Sequence, residues 1–203
     1  MSKFDEQITV VKRQTLFDDE KNAFNGFIAK HNSKSTEIFE ALNEYKIKRR
    51  GDMEEDPSYK QLISYCLLEN ELGEILVYER LSGGGEVRLH GQSSIGVGGH
   101  MNDVPHAQNI SSLITVNASR ELEEEVGLLV NDANALEHIG FINDDSNEVG
   151  QVHIGVVFKI KVNSNKIEAK ETDTLKIEWK SLDKINDLNE FESWSALILK
   201  EMK

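Results

Sequence analysis

Four glutamates crowd the stretch ASRELEEEVGL, residues 118–128, and their spacing decides what they can do. In a helix each residue turns about 100° around the axis, so with Glu121 at 0°, Glu124 falls at about 300° and Glu125 at about 40°. These three share one side, whereas Glu123 falls at about 200° and points away as a solvated charge. Ala118, Leu122 and Val126 fall at about 60°, 100° and 140°, which sets the packing face directly beside the carboxylates. Like charges at i, i+3 and i, i+4 repel by roughly 0.2–0.5 kcal/mol per pair. A hard divalent cation held by oxygen ligands would relieve that repulsion. Glutamate is also a good helix former, and taken alone such a run is more often a solvated face.

The helix that must carry these groups can start at Ser111 or Ser112, each a capping residue, and end at Val126 with Gly127 in the stop position. Upstream lies GVGGHMND, in which Gly96, Gly98 and Gly99 permit backbone geometry that a Cβ resists. QLISYCLL and EILVYERL flank the turn ENELG and read as a hairpin, followed by the glycine cluster SGGGE and a short strand around EVRLHG. HIGFI and QVHIGVVFKIKV read as strands separated by the polar turn NDDSNEVG. TLKIEWKSLDKI is a last strand running into a turn, and FESWSALILKEMK a C-terminal amphipathic helix. Nearer the start, QITVVKR is a short strand, and Ile38, Leu42 and Tyr45 at i, i+4, i+7 predict a helix over residues 35–50. GDMEEDPSYK is a connection whose acids do not fall in phase with the helix carboxylates. The order of elements implies an α/β or α+β sandwich. Residues 1–58 read as an α/β extension packed on a domain of residues 59–203, together one globular unit.

The chain has 203 residues and a formal net charge of −13, which repels polyphosphate backbones and argues against duplex nucleic acid as a partner. The same charge tolerates a small phosphorylated ligand where divalent ions screen it. Cys66 is the single cysteine, so no intrachain disulfide forms, and within LISYCLL it reads as a packed core thiol. The start MSKFDEQITVV lacks the pattern of a secretion signal, and nothing approaches the ~18 consecutive apolar residues of a membrane span. A cytoplasmic protein with no membrane partner is expected.

Read together, Arg120, Glu121, Leu122, Glu124, Glu125, Gly127 and Leu128 satisfy the second half of the Nudix hydrolase signature, R-E-hydrophobic-x-E-E-x-G-hydrophobic. GVGGHMN resembles the glycine-rich entry to that motif. Through EEDPSYKQLISY, EVRLHGQSSIGVGGHMND and GFINDDSNEVGQVHIGVVF, the chain is similar in particular to a bacterial branch of predicted MutT-type phosphoesterases, over approximately residues 53 to 180. The resemblance implies a mixed sheet between helices. It departs upstream: where the signature has a glycine fourteen residues before the arginine and a glutamate eight before it, this chain has His106 and Ser112. The glycine that matches is Gly99, twenty-one residues before Arg120, so the loop carries seven additional residues.

The resemblance also implies chemistry. Glu121, Glu124 and Glu125 would hold Mg2+ or Mn2+, with one of them accepting a proton from the attacking water, and Arg120 would orient a motif glutamate; its alternative is a surface pair with Glu124. Many members take a further acid from the loop before the last strand, where Glu168, Glu171 and Asp173 lie and Asp173 is the first choice. Gly98, Gly99 and Gly127 would act through backbone shape. His90, His100 and His153 are candidates to reach substrate phosphate or assist proton transfer, although a strand histidine is more often structural. Arg80 and Arg88 face either the phosphates or solvent. The reaction implied is hydrolysis of a phosphoanhydride in a nucleoside diphosphate linked to another group. The alternatives are a nucleotide-binding sensor on the same fold and a diphosphate isomerase, the latter lacking a dedicated cysteine. A homodimer is a family-level expectation.

Overall fold

The computed structural model describes residues 2–80, 92–130, 135–170 and 175–203. In chain order these form β1 (Gln7–Lys12), α1 (Arg13–Leu16), β2 (Gly26–Ala29), α2 (Ser33–Ala41), β3 (Lys46–Arg49), α3 (Arg50–Met53), β4 (Tyr59–Glu69), β5 (Ile75–Arg80), β6 (Ser93–Ser94) and β7 (Gly96–Val97). The second half adds α4 (Ile110–Val126), β8 (Glu137–Asn143), α5 (Glu148–Val152), β9 (His153–Lys161), β10 (Leu175–Lys180) and α6 (Ser193–Met202). The strand EVRLHG expected from the sequence lies outside the described residues.

Strand alternation builds a layered sandwich, because successive side chains leave a sheet on opposite faces. Along β4, Leu62, Cys66 and Leu68 enter one apolar cluster, while Tyr65 and Leu67 enter another. Helix α4 covers the first face through Leu113, Ile114, Ala118, Leu122 and Val126, and α6 covers the second through Ile198 and Leu199. The result is an α/β/α arrangement around a mixed sheet ordered β10-β5-β4-β9-β8-β2. Its centre is the parallel pair β4 and β9, in register from Gln61 opposite His153 to Glu69 opposite Lys161. The other pairings are antiparallel.

The first 58 residues are stitched to this sheet rather than appended to it. β1 pairs with β4 on one side and β3 on the other. It also reaches the loop after β7, where Thr9 N donates to Met101 O at 2.7 Å and Asp103 N to Gln7 O at 3.0 Å. That loop leads into α4.

The helix expected over residues 35–50 ends at Ala41, passes through a tight turn at Leu42–Glu44, and gives way to β3 and α3. Period-2 alternation in Lys46, Ile47 and Lys48 and the open edge of β1 win over helical phase there. The turn NDDSNEVG likewise gives way to α5, which is capped by the Asn147 side chain and takes Gln151 and Val152 from the start of the expected strand. Strand β2 carries too short an apolar run to stand out from its surroundings.

His138 on β8 shows what this packing does to a titratable ring. It lies among Phe39, Phe141 and Phe158, at centroid separations of 5.2, 5.0 and 5.7 Å. Burial lowers its pKa to about 4, outweighing the contact between its Nε2 and Gly140 O. The unfolded chain therefore takes up the proton first, and stability falls as pH drops from 6.5 through 4. After allowance for partial exposure this is on the order of 2 kcal/mol. Urea unfolding at pH 7 and pH 4 is expected to show that loss in the wild type and a correspondingly smaller one in His138→Phe; equal losses would contradict it.

Candidate active site on the acidic helix

Asn109 caps α4, accepting from Ser112 N at 2.9 Å, while Ser112 Oγ accepts from Asn109 N at 3.2 Å. The start is thus one or two residues earlier than Ser111 or Ser112, because the Asn109 carboxamide satisfies a free amide of the first turn. Gly127 ends the helix in the left-handed region, with φ 67°, a geometry that favours glycine.

Between these ends, Glu121 lies on the buried face, 9% exposed, beside Ala118 and Leu122. Glu123 and Glu124 are exposed, and Glu125 is intermediate. Arg120 grips the group: its Nη2 is 2.6 Å from Glu121 Oε1 and its Nη1 2.9 Å from Glu124 Oε2. Orientation of Glu121 and the surface pair with Glu124 therefore occur together. Nη2 also donates to His100 O at 3.1 Å, tying the glycine-rich loop to the helix.

Gly99 is needed for space. A Cβ there would sit 2.8 Å from both Glu121 carboxylate oxygens. Gly98 has φ 155°, and its Cβ would lie 1.9 Å from Ser64 O, so the backbone rides directly on β4. His100 turns its ring away from Glu121, toward Gln61 and His153. Asn117, which sequence reasoning passed over, holds the next stretch: it accepts from Asn102 N at 2.8 Å and donates to Asn102 O at 2.9 Å. Its signal was a poor helix former one turn before Glu121 in the same row.

Burial raises the Glu121 pKa; Arg120 opposes this, while Glu124 and Glu6 add to it. Glu6 comes from the first segment, another residue the sequence did not flag. Burial also pushes the Cys66 thiol up, and the Glu121 and Glu125 charges push further, so Cys66 stays a protonated core group. Among the described residues no three His, Cys, Asp or Glu side chains are arranged to hold a metal ion. Arg120 commits one oxygen each of Glu121 and Glu124 and leaves their second oxygens to other partners. In chemical type the donors, hard carboxylate oxygens with a surplus of negative charge, suit a hard divalent cation. His90, Arg88, Glu171 and Asp173 lie outside the described residues, as does the Arg80 side chain. Glu168 is described: its backbone N donates to Val126 O.

No family model matches the chain. Over 204 residues it is 38% identical to Protein YmaB of Bacillus subtilis (strain 168), covering 98% of each. The crystal structure of Tm1382, provisionally assigned as a Nudix hydrolase, aligns with a TM-score of 0.76 at 26% identity, over 97% of this chain and 98% of that one. The chain belongs to the Nudix family. The MutT NUDIX hydrolase from Burkholderia pseudomallei shares the Nudix fold at TM-score 0.53 and 16% identity, over 71% of this chain and 98% of that one. So does the NUDIX domain of Shewanella oneidensis NrtR complexed with ADP ribose, at TM-score 0.50 and 14% identity, over 70% and 84%. Among the described residues, no helix is long and apolar enough to cross a membrane.

The structure gives the departure from the Nudix signature a physical reading. Ser112, where the signature carries a glutamate, is the third residue of α4 and half of the reciprocal cap. Along the axis it stands roughly 12 Å from Arg120. A glutamate at that position is a capping-box acid, and serine does the same work. Ser112→Glu is therefore expected to leave turnover within about twofold, as an exchange between two competent caps should; a tenfold gain in a steady-state assay would show that the missing acid belongs to the chemistry.

Proposed function

We propose that this Nudix protein hydrolyses a phosphoanhydride bond in a nucleoside diphosphate linked to another group, with Mg2+ or Mn2+ held by Glu121, Glu124 and Glu125. The observation that carries this reading is the Arg120 clamp on Glu121 and Glu124, closed from above by Gly99. When bound, the cation neutralises phosphate oxygens and lowers the pKa of a water. The protein's share is positional. Arg120 fixes the Glu121 carboxylate in one orientation, and Gly99 leaves room for it without admitting a side chain. Burial, with Glu124 and Glu6, raises the proton affinity of Glu121 and Arg120 opposes it, a balance that suits a carboxylate accepting a proton from the attacking water. Asp173 is proposed as a further acid.

The reading is tested by assaying purified protein, with Mg2+, Mn2+ or a chelator, against nucleoside triphosphates, dinucleoside polyphosphates, nucleotide sugars and ADP-ribose, the last being the ligand of the NrtR complex. Metal-dependent release of phosphate or a nucleotide is expected. Tight binding with no turnover across the panel would overturn it in favour of the sensor. The full helix motif and the capping role of Ser112 support the enzyme. We further propose that the protein acts as a homodimer in the cytoplasm.

A further inference from the structure

Gln61, His100 and His153 form a polar cluster under the glycine-rich loop that the proposed reaction leaves unused. Gln61 is fully buried, and its Nε2 donates to Met53 O at 3.1 Å, which fixes the amide and turns Oε1 toward His100. His100 Nε2 lies 2.9 Å from that oxygen and 3.0 Å from His153 Nε2. His153 Nδ1 lies 2.7 Å from Val149 O, a pure acceptor, so Nδ1 carries the proton. A neutral His153 then offers a bare Nε2. His100 Nε2–H is left as the donor, shared between Gln61 Oε1 and His153 Nε2. Only one pair of neutral tautomers satisfies all four contacts, and a second proton on His153, at Nε2, would set N–H against N–H or leave the Gln61 oxygen without its donor.

The surroundings favour the neutral pair. Burial lowers the proton affinity of both rings; Arg50 and Lys3 add to this at His100, and Arg50 and Lys60 at His153, against Glu54 and the Val149 carbonyl. Lys60 Nζ donates to His153 O at 3.2 Å, anchoring that residue from β4. His100 in turn bridges to Ile63 and presents its carbonyl to Arg120. The ring therefore holds the residue whose backbone orients the carboxylate clamp, next to the glycine that touches Glu121.

We propose that Gln61 and His153 are positioning residues for the active site: they lock the His100 ring in one tautomer and so hold the loop of Gly98–Met101 in register with Arg120 and Glu121. The effect on turnover rests on the proposed hydrolase reading, whereas ring tautomer and metal affinity do not. Long-range 15N NMR of the metal-free protein at pH 7 is expected to show neutral His100 protonated at Nε2 and neutral His153 protonated at Nδ1. Gln61→Leu and His153→Leu are each expected to weaken Mn2+ binding, read by electron paramagnetic resonance, by about tenfold and to lower kcat by about 10–100-fold, with KM changed less than about threefold. His153→Gln, which returns an acceptor near the Nε2 position, is expected to restore most of both. The opposite tautomers, a charged ring, or folded leucine variants with wild-type Mn2+ affinity would overturn the proposal. If those variants do not fold, the NMR assignment and His153→Gln decide it: the stated tautomers with near-wild-type Mn2+ affinity support it, and any other pattern overturns it. Absence of turnover in the wild type would count against the hydrolase reading and leave the NMR and Mn2+ results to decide this one.

Discussion

Glu121→Gln is expected to lower kcat by about 10³-fold while leaving the fold as stable as the wild type or slightly more so. The loss follows from its place: it is the buried carboxylate of the clamp, held by Arg120 at 2.6 Å and faced by Gly99. An amide there is a weak metal ligand and no base, and removing a positioned base typically costs about 10²–10⁴-fold. The stability argument runs the other way. Because burial raises the folded-state pKa, the native chain binds that proton more tightly than the unfolded chain does. Stability contributed by this group therefore falls as pH rises through the ordinary carboxylate value of 4.5, and at neutral pH the ionised side chain opposes folding. Glutamine removes that cost and still offers Arg120 an oxygen. Steady-state kinetics and thermal melting on one preparation check both halves. A variant that melts several degrees lower and retains turnover would make Glu121 a structural acid.

That opposition between activity and stability was half legible in the sequence. Helical phase alone placed Glu123 outward and set Glu121, Glu124 and Glu125 beside the packing face, and the exposures agree for Glu123 and Glu121. Phase could not show that Glu121 is covered, because the cover is Gly99, delivered by a loop twenty-two residues upstream. Nor could it show Glu6, whose charge reaches Glu121 only because β1 pairs with the stretch of Met101–Asp103. Non-local contacts of this kind leave no periodic trace. The His100–His153 contact is similar: the two lie fifty-three residues apart and meet because the loop pairs with β4 at Ile63 while the start of β9 pairs with β4 at Gln61.

The fold divides along the same line. Long alternating strands such as β4 and β9 and the capped helix α4 carry their own signals, and their facing residues sort into the two apolar layers as expected. Residues 35–50 misled because Ile38 and Leu42 are helical and buried, whereas Tyr45, the third residue of the apparent stripe, already sits in extended backbone with φ −59° and ψ 156°. Its helical spacing was a coincidence of a turn. The residues after it are recruited by β1, an element thirty-five or more positions earlier.

Asp145→Ala is expected to destabilise the protein by about 3–5 kcal/mol at neutral pH, the usual consequence of leaving one partner of a buried ion pair uncompensated. Lys60 is fully buried on β4, with Nζ 2.6 Å from Asp145 Oδ1 and 2.7 Å from Gly150 O. Arg13, from the first helix, reaches the other oxygen of Asp145 at 2.8 Å, so one carboxylate joins β4, α1 and the turn before α5. Burial raises the Asp145 pKa, but the hydrogen bonds from Arg13 and Lys60 outweigh it and the net shift is downward. For Lys60 burial wins over the ion pair, bringing its pKa down to about 8. Between that value and 10.5 the unfolded chain holds more protons, so the contribution of Lys60 to stability rises with pH across this window. Without Asp145 the pKa drops further and the window opens lower, so the deficit of the variant is largest below about pH 8 and shrinks as pH rises. Urea unfolding at pH 7 and pH 9.5 measures this directly. The double variant Lys60→Met with Asp145→Ala is expected to recover more than half of the loss, since an apolar side chain of similar volume needs no counter-ion and Arg13 keeps Glu20 at 2.8 Å. A cost below about 1 kcal/mol for Asp145→Ala, in the range of an exposed pair, would mean that water reaches Lys60 and that the anchor beneath His153 is looser than its geometry implies.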